Sequence, residues 1–181
     1  MRILHQKRRR GYVYYSALGI ALALVYFIQC ATPLLPTVFG VKPMPAFILM
    51  LCIAAFGGET AGIISGLALG IATDIGSTSP DGFNALVMML MGLACSLLAT
   101  YLFSERLPAA AVLCGIFTAL YYLLNWVVLV AIRGYDGVWL YLARYSLPQA
   151  IYTWLFVFLF WPFVSFITKA NFKKRSNSLL E

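Results

Sequence analysis

The sequence predicts an all-α integral membrane protein, folded as a bundle of six membrane-spanning helices. Hydrophobic residues make up 62% of the chain and charged residues only 10%, whereas soluble domains carry roughly 25% charged residues. The apolar runs are continuous, as helical spans of about 20 residues require, and do not alternate as barrel strands do. Basic residues cluster at both ends of the chain, which is typical of cytoplasmic termini.

The whole chain is expected to form one polytopic membrane domain. Its 181 residues hold five or six spans joined by short loops. Residues 1–11 and 169–181 are predicted to be basic cytoplasmic tails. Each basic cluster lies directly beside an apolar run, where anionic lipid headgroups neutralise it. This placement indicates membrane lipids as partners and predicts no nucleic-acid partner.

The first predicted span is the uncharged run of residues 12–31. It is longer than the apolar region of a signal peptide, which has about 7 to 15 residues, so we expect the span to be retained. The loop of residues 32–45 contains four prolines. We expect this stiff loop to face the outer side of the membrane.

Residues 44–73 contain a single charge, Glu59. They allow two interpretations, because this segment is too long for one membrane span and shorter than two ordinary spans require. Two short helices that break at residues 57–59 give six spans, with Glu59 near the cytoplasmic face. A re-entrant hairpin gives four full spans and also keeps both termini on one side. The sequence favours six spans. Glu59 is either a functional acid or a group that reaches interfacial water, since an acid in hydrocarbon is costly.

The remaining spans are predicted at residues 83–103, 107–132 and 145–168. Before the fourth span, Ser79 is expected to cap the helix, with Pro80 as its first residue and Asp81 in its first turn. The loop of residues 133–144 is predicted to face outward. Its aromatic residues suit the headgroup zone of a bilayer.

A row of glycines at four-residue steps is the main candidate for a helix contact. This glycine row consists of Gly58, Gly62, Gly66 and Gly70. Absent side chains let a second backbone approach closely, and that backbone belongs either to this bundle or to another protein. Asp74 follows one step later. We expect Asp74, Ser77 and Gly82 to shape the turn or helix terminus after the row.

Groups suited to catalysis are sparse, so the sequence predicts no enzyme, no cofactor and no metal site. The one histidine, His5, lies in the basic N-terminal tail, which excludes a Ser-His or Cys-His pair within the spans. Four separate cysteines lack any CxxC pairing, namely Cys30, Cys52, Cys95 and Cys114. Asp74 and Asp81 are an alternative hydrolytic pair, although they are seven residues apart across a proline turn.

Four amide side chains within or beside the spans are expected to form hydrogen bonds between helices. They are Gln29, Asn84, Asn125 and Gln149. In hydrocarbon such groups need partners, because water does not reach them. We therefore expect them to hold the bundle together and not to bind a ligand.

Residues 44–86 carry a pattern that resembles the rod shape-determining protein MreD family. The matching elements are the start of a proline-flanked short span, Lys42-Pro43-Met44-Pro45-Ala46-Phe47, then Gly62, Gly66-Leu67, Asp74, Ser77, Gly82 and Phe83-Asn84-Ala85-Leu86. The chain length, the six predicted spans, the basic ends and the later segment Leu147-Pro148-Gln149-Ala150-Ile151 also fit the family. Pro80 and Asp81 depart from the pattern, which has small or apolar residues there.

The resemblance implies a non-enzymatic scaffold in the bacterial cytoplasmic membrane that acts in cell shape and positions peptidoglycan synthesis during cell elongation. It implies a single-span MreC-like partner and, through it, MreB, RodA and a penicillin-binding transpeptidase. The family is also similar in fold to the substrate-capturing subunits of energy-coupling transporters, which supplies an alternative function. Those subunits dock through a stripe of small residues, for which Ala17 and Ala21 are candidates. An intramembrane hydrolase is the third class considered.

Overall fold

The computed structural model is built of helices and describes residues 2–31, 40–76, 82–102, 107–128 and 138–177, with side chains described only between residues 16 and 168 of these segments. The helices are α1 (Arg2–Ala31), α2 (Pro45–Gly57), α3 (Glu59–Gly76), α4 (Phe83–Leu102), α5 (Leu107–Trp126), α6 (Val138–Tyr141), α7 (Leu147–Leu155) and α8 (Val157–Asn177). A π-helical turn, Leu142–Ser146, connects α6 to α7.

Helix α2 lies at the centre of the bundle. It is in contact with α1, α3, α4, α5, α7 and α8, and its residues 45–54 are all buried. A helix that is apolar on every face is stable where neighbours cover all of its faces. At 13 residues α2 is about 20 Å long, and the surrounding helices shield this short helix from the solvent.

The chain breaks between α2 and α3 where the sequence predicted two short helices. Gly58 separates the helices with a φ of 79°, a left-handed conformation that glycine adopts without steric penalty. Gly58 is therefore not on the same helix as Gly62, and the glycine row on α3 is one member shorter than predicted.

Contacts between residues of different helices define the relative directions of several helices. Gly62 faces Gly92 and Gly70 faces Ala85, so α3 and α4 are antiparallel. The start of α2 meets Thr153 of α7 through Met44, and Phe56 near its end contacts Trp161 of α8. The helical stretch that contains α7 and α8 therefore runs parallel to α2.

Several predicted boundaries differ from the observed ones. Helix α1 begins at Arg2 and α8 continues to Asn177, so both predicted tails are largely helical; Lys, Arg and Gln are good helix formers. Helix α4 follows Gly82, which has a φ of 80°, and begins at Phe83, the first residue of the predicted fourth span. Ser77, Ser79, Pro80 and Asp81 lie outside the described residues.

The C-terminal part of the chain differs most from the prediction. Helix α6 begins at Val138, inside the predicted outer loop, because the apolar run extends upstream of residue 145. The π-helical turn ends just before Pro148 of α7, where a wider turn accommodates a ring that has no N–H to donate. A second break falls at Phe156, whose N–H donates to the Thr153 carbonyl oxygen at 3.2 Å.

Two helical stretches of the described chain have the length and hydropathy to cross a membrane, Phe83–Thr100 with 18 residues and Trp139–Thr168 with 30. Shorter apolar helices are Ser16–Ala31, Pro45–Gly57 and Ala111–Trp126. Large apolar side chains also point outward from the bundle, including Ile75, Phe166 and Phe27, which are 84%, 76% and 70% exposed. Such extensive outward apolar surface suits lipid.

Candidate helix-packing site

The contact between α3 and α4 is the most extensive in the bundle, and the two backbones approach closely at its glycines. Gly62, Gly66 and Gly70 lie on its buried side. A Cβ atom added at any of them would come closer than 3.0 Å to backbone atoms of α4. At Gly62 this atom would lie 2.5 Å from the carbonyl oxygen of Gly92. A larger residue therefore fits only if the helices move apart.

Gly92 is a member of this contact that the sequence interpretation missed. A Cβ atom there would collide with the backbone of Gly62, so the two glycines face each other. Ala85, Gly92 and Ala99 recur every seven residues on α4, a spacing that places small residues on one side of a helix. This seven-residue repeat is the sequence pattern from which the contact at Gly92 could have been predicted.

The structure gives the four glycines of the predicted row two different positions. Gly62, Gly66 and Gly70 face α4 of the same chain, which occupies the side that a helix of another protein would need. Gly58 faces open space, with no atom within 4 Å of an added Cβ. It is set apart by its left-handed backbone and takes no part in the α3–α4 contact.

Asp74 connects the last turns of α3 to the first turn of α4. Its Oδ1 accepts a hydrogen bond from the backbone N–H of Asn84 at 3.1 Å, and its Oδ2 accepts one from Ala85 at 2.9 Å. These N–H groups have no partner within their own helix. A negative charge at this position is also favourable to the helix dipole. The carboxylate thus caps α4 from a neighbouring helix.

A second polar contact joins α2, α4 and α5 close to this cap. The Tyr121 hydroxyl donates to Oδ1 of Asn84 at 3.0 Å, and both residues are buried. The ring of Tyr121 stacks on Phe47 of α2 with centroids 4.7 Å apart. Asn84 therefore links helices as predicted, whereas Tyr121 was missed because a lone tyrosine in an apolar run indicates no particular partner.

Polar side chains from two other helices surround the start of α2. Oε1 of Gln29 in α1 accepts from the Ala46 N–H at 3.3 Å. Oγ1 of Thr153 in α7 accepts from the Met44 N–H at 3.1 Å and contacts the Tyr122 hydroxyl at 3.0 Å. These bonds satisfy backbone groups at a helix start that hydrocarbon leaves without water.

The other two amides behave differently. Nε2 of Gln149 donates to the carbonyl oxygen of Lys42 at 2.9 Å, which ties α7 to the segment before α2. Nδ2 of Asn125 donates to the Tyr121 carbonyl oxygen of its own helix at 3.2 Å. This hydrogen bond lies within α5, so a local bond stands where an interhelical bond was predicted for Asn125.

Glu59 is the first residue of α3 and is exposed. A carboxylate in the first turn of a helix is stabilised by the helix dipole. Asp81, the proposed partner of Asp74 in a hydrolytic pair, lies outside the described residues. Both carboxylate oxygens of Asp74 accept hydrogen bonds from backbone N–H groups of α4.

The chemistry-bearing side chains in the described part of the chain are otherwise used in packing. Cys52, Cys95 and Cys114 are buried free thiols, and Cys95 donates to the Leu51 carbonyl oxygen at 3.6 Å. Among described residues no group of three or more His, Cys, Asp or Glu is placed to hold a metal ion. No buried nitrogen or oxygen of these side chains lacks a hydrogen-bond partner.

Helices with outward apolar faces, joined by glycine contacts and by satisfied polar bonds, are typical of helical membrane proteins. Residues 10–170 match the family model described as rod shape-determining protein MreD. The chain belongs to this family, which confirms the resemblance and supports a role in rod-shape determination. No curated protein and no solved structure matches the chain significantly.

Proposed function

We propose that this protein is a non-enzymatic membrane scaffold of the bacterial cell-elongation complex and helps to position peptidoglycan synthesis. The observation that carries the proposal is the family match, which spans residues 10–170. The use of Asp74 and the buried polar groups as helix connectors is consistent with a packing protein.

The proposed partner is a single-span MreC-like protein, which links the scaffold to MreB, RodA and a penicillin-binding transpeptidase. Because α4 covers the glycine face of α3, a partner helix has to lie against an outward face of the bundle. Such faces carry Leu24 on α1, Ile71 on α3 and Leu90 on α4, exposed by 57%, 49% and 51%.

Copurification tests this proposal. The tagged full-length protein is recovered in mild detergent after coexpression with the MreC-like protein, and an unrelated single-span protein is the control. We expect selective recovery of the MreC-like protein. Leu24→Trp, Ile71→Trp and Leu90→Trp each place a larger side chain on a different exposed face. The variant that no longer recovers the MreC-like protein identifies the face to which this partner docks.

Failure to recover the MreC-like protein from the correctly folded wild type would contradict the scaffold proposal. Recovery of an ATPase pair, together with tight binding of a small vitamin or metal ion, would favour the transporter-subunit alternative. In that case the small residues Ala17 and Ala21 of α1 are the first candidates for the surface that docks the transporter. Ala17 is exposed there, whereas Ala21 packs partly against the core.

We also propose six membrane crossings with both termini in the cytoplasm. The antiparallel α3 and α4 and the break at Gly58 support alternating spans. A Glu59→Cys variant in a Cys30→Ser background is labelled with an impermeant maleimide, because Cys30 is the exposed native thiol among the described residues. Six spans predict labelling only from the cytoplasmic side. Labelling from the outside would support the re-entrant hairpin.

A further inference from the structure

The aromatic segment (residues 138–146), which comprises α6 and the π-helical turn, exposes several large apolar and aromatic side chains. Trp139, Leu140 and Tyr141 are 75%, 67% and 45% exposed. The ring of Trp139 lies 5.5 Å from that of Trp126 at the end of α5, which attaches the segment to the bundle. Apolar and aromatic surface of this kind needs a covering environment.

The length of the last helical stretch places this segment relative to the bilayer. Trp139–Thr168 contains 30 residues, whereas a helix needs only about 20 to cross the hydrocarbon core. Lys169 follows immediately, and its charge favours water or headgroups. The excess length therefore falls at the opposite end, which is the aromatic segment.

The side chains of the segment match the chemistry of lipid headgroups. Trp and Tyr rings prefer the boundary between hydrocarbon and water, and Tyr141 and Tyr145 lie together with ring centroids 5.1 Å apart. Arg144 is exposed between them in the sequence. A guanidinium forms strong paired hydrogen bonds with phosphate.

We propose that the aromatic segment is a lipid-binding element that anchors the end of the bundle to phosphate-bearing headgroups. Arg144 binds the phosphate, and Trp139, Tyr141 and Tyr145 lie at the depth of the glycerol region. This site is independent of the proposed scaffold function, because it concerns the bilayer and not a protein partner.

Single-tryptophan variants of the full-length protein test the depth of the segment. One variant keeps Trp139, with Trp126, Trp154 and Trp161 changed to Phe; the matched control keeps Trp154, which donates to the Ala111 carbonyl oxygen inside the bundle. Both are reconstituted in phosphatidylcholine vesicles containing lipids brominated either next to the headgroup or near the chain end. Circular dichroism establishes that each variant remains helical.

We expect Trp139 fluorescence to be quenched more strongly by the shallow bromine than by the deep one. Quenching of Trp139 by aqueous iodide but by neither lipid would show a segment in water and overturn the proposal. Stronger quenching by the deep bromine would place the segment in hydrocarbon and overturn it as well.

Arg144→Gln tests the phosphate contact in the variant that retains Trp139. Shallow-brominated phosphatidylglycerol and phosphatidylcholine are compared as quenchers in vesicles of otherwise equal composition. Arg144 should favour the anionic lipid, and its replacement should lower the ratio of the two quenching efficiencies by up to about fivefold. An unchanged ratio would show that Arg144 does not distinguish the anionic headgroup from the zwitterionic one, which would overturn its assignment as the headgroup contact.

Discussion

Two contacts in this bundle hold helices together by opposite means. Between α3 and α4, glycines leave out side chains at the points of closest approach, and the backbones of Gly62 and Gly92 face each other directly. At the start of α2, side chains are present and specific, since Gln29 and Thr153 accept hydrogen bonds from backbone N–H groups. Gly62, Gly92 and Thr153 are buried, and Gln29 is half-buried.

The difference shows how a membrane protein specifies helix positions without a hydrophobic force between helices. Lipid tails are as apolar as leucine, so association depends on close packing and on polar bonds. A packing contact is sensitive to added atoms, whereas a polar contact is sensitive to removed atoms. Three substitutions test this distinction, in order of decreasing expected effect.

Gly66→Leu should be the most damaging change. Its Cβ atom would meet the backbone of Met88, so the rest of the side chain has to separate α3 from α4, at a cost of about 3 kcal/mol or more. The measurement is unfolding by SDS in mixed micelles, followed by tryptophan fluorescence. Gly19→Leu is the control, because Gly19 is exposed with no atom within 4 Å. Equal stability of the two variants would contradict the backbone contact.

Asp74→Ala should have the next largest effect. It removes the acceptor of two N–H groups at the start of α4, with a cost of about 2 kcal/mol in the same unfolding measurement. Asp74→Asn keeps one oxygen acceptor and should lose less. Glu59→Gln, at an exposed helix start, should change stability little. A loss from Glu59→Gln as large as that from Asp74→Ala would argue against the cap.

Thr153→Val should have the smallest effect of the three. It keeps the shape of the side chain but removes the acceptor of the Met44 N–H and the partner of the Tyr122 hydroxyl, which costs about 1 kcal/mol. Thr60→Val is the control, because Thr60 is exposed. If Thr153→Val unfolds the protein as readily as Gly66→Leu does, polar and packing contacts are equally important here.

The sequence predicted the packing residues better than their partners. Four-residue spacing identified Gly62, Gly66 and Gly70, because i, i+4 positions share a helix face whatever the tertiary structure. It did not separate Gly58 from them, since a helix break at a glycine leaves the same spacing. Gly92 was missed because its significance depends on the residue opposite.

The polar groups show the same limit. The expectation that Gln29 and Asn84 join separate helices agrees with the structure, because an amide in an apolar run needs a partner. Asn125 instead donates to the carbonyl oxygen of Tyr121 in its own helix. Both outcomes satisfy the same requirement, and only the positions of the neighbouring helices decide between them.

The sequence by itself indicated a helical membrane protein and the family, and it favoured a pair of short helices in residues 44–76 over a re-entrant hairpin, since composition and local spacing act within single helices. The tertiary structure decided that α4 covers the glycine face, that Asp74 caps α4 and that α2 is surrounded by its neighbours. These features depend on which helix faces which, and that choice is made by the complementary packing of segments distant in the chain.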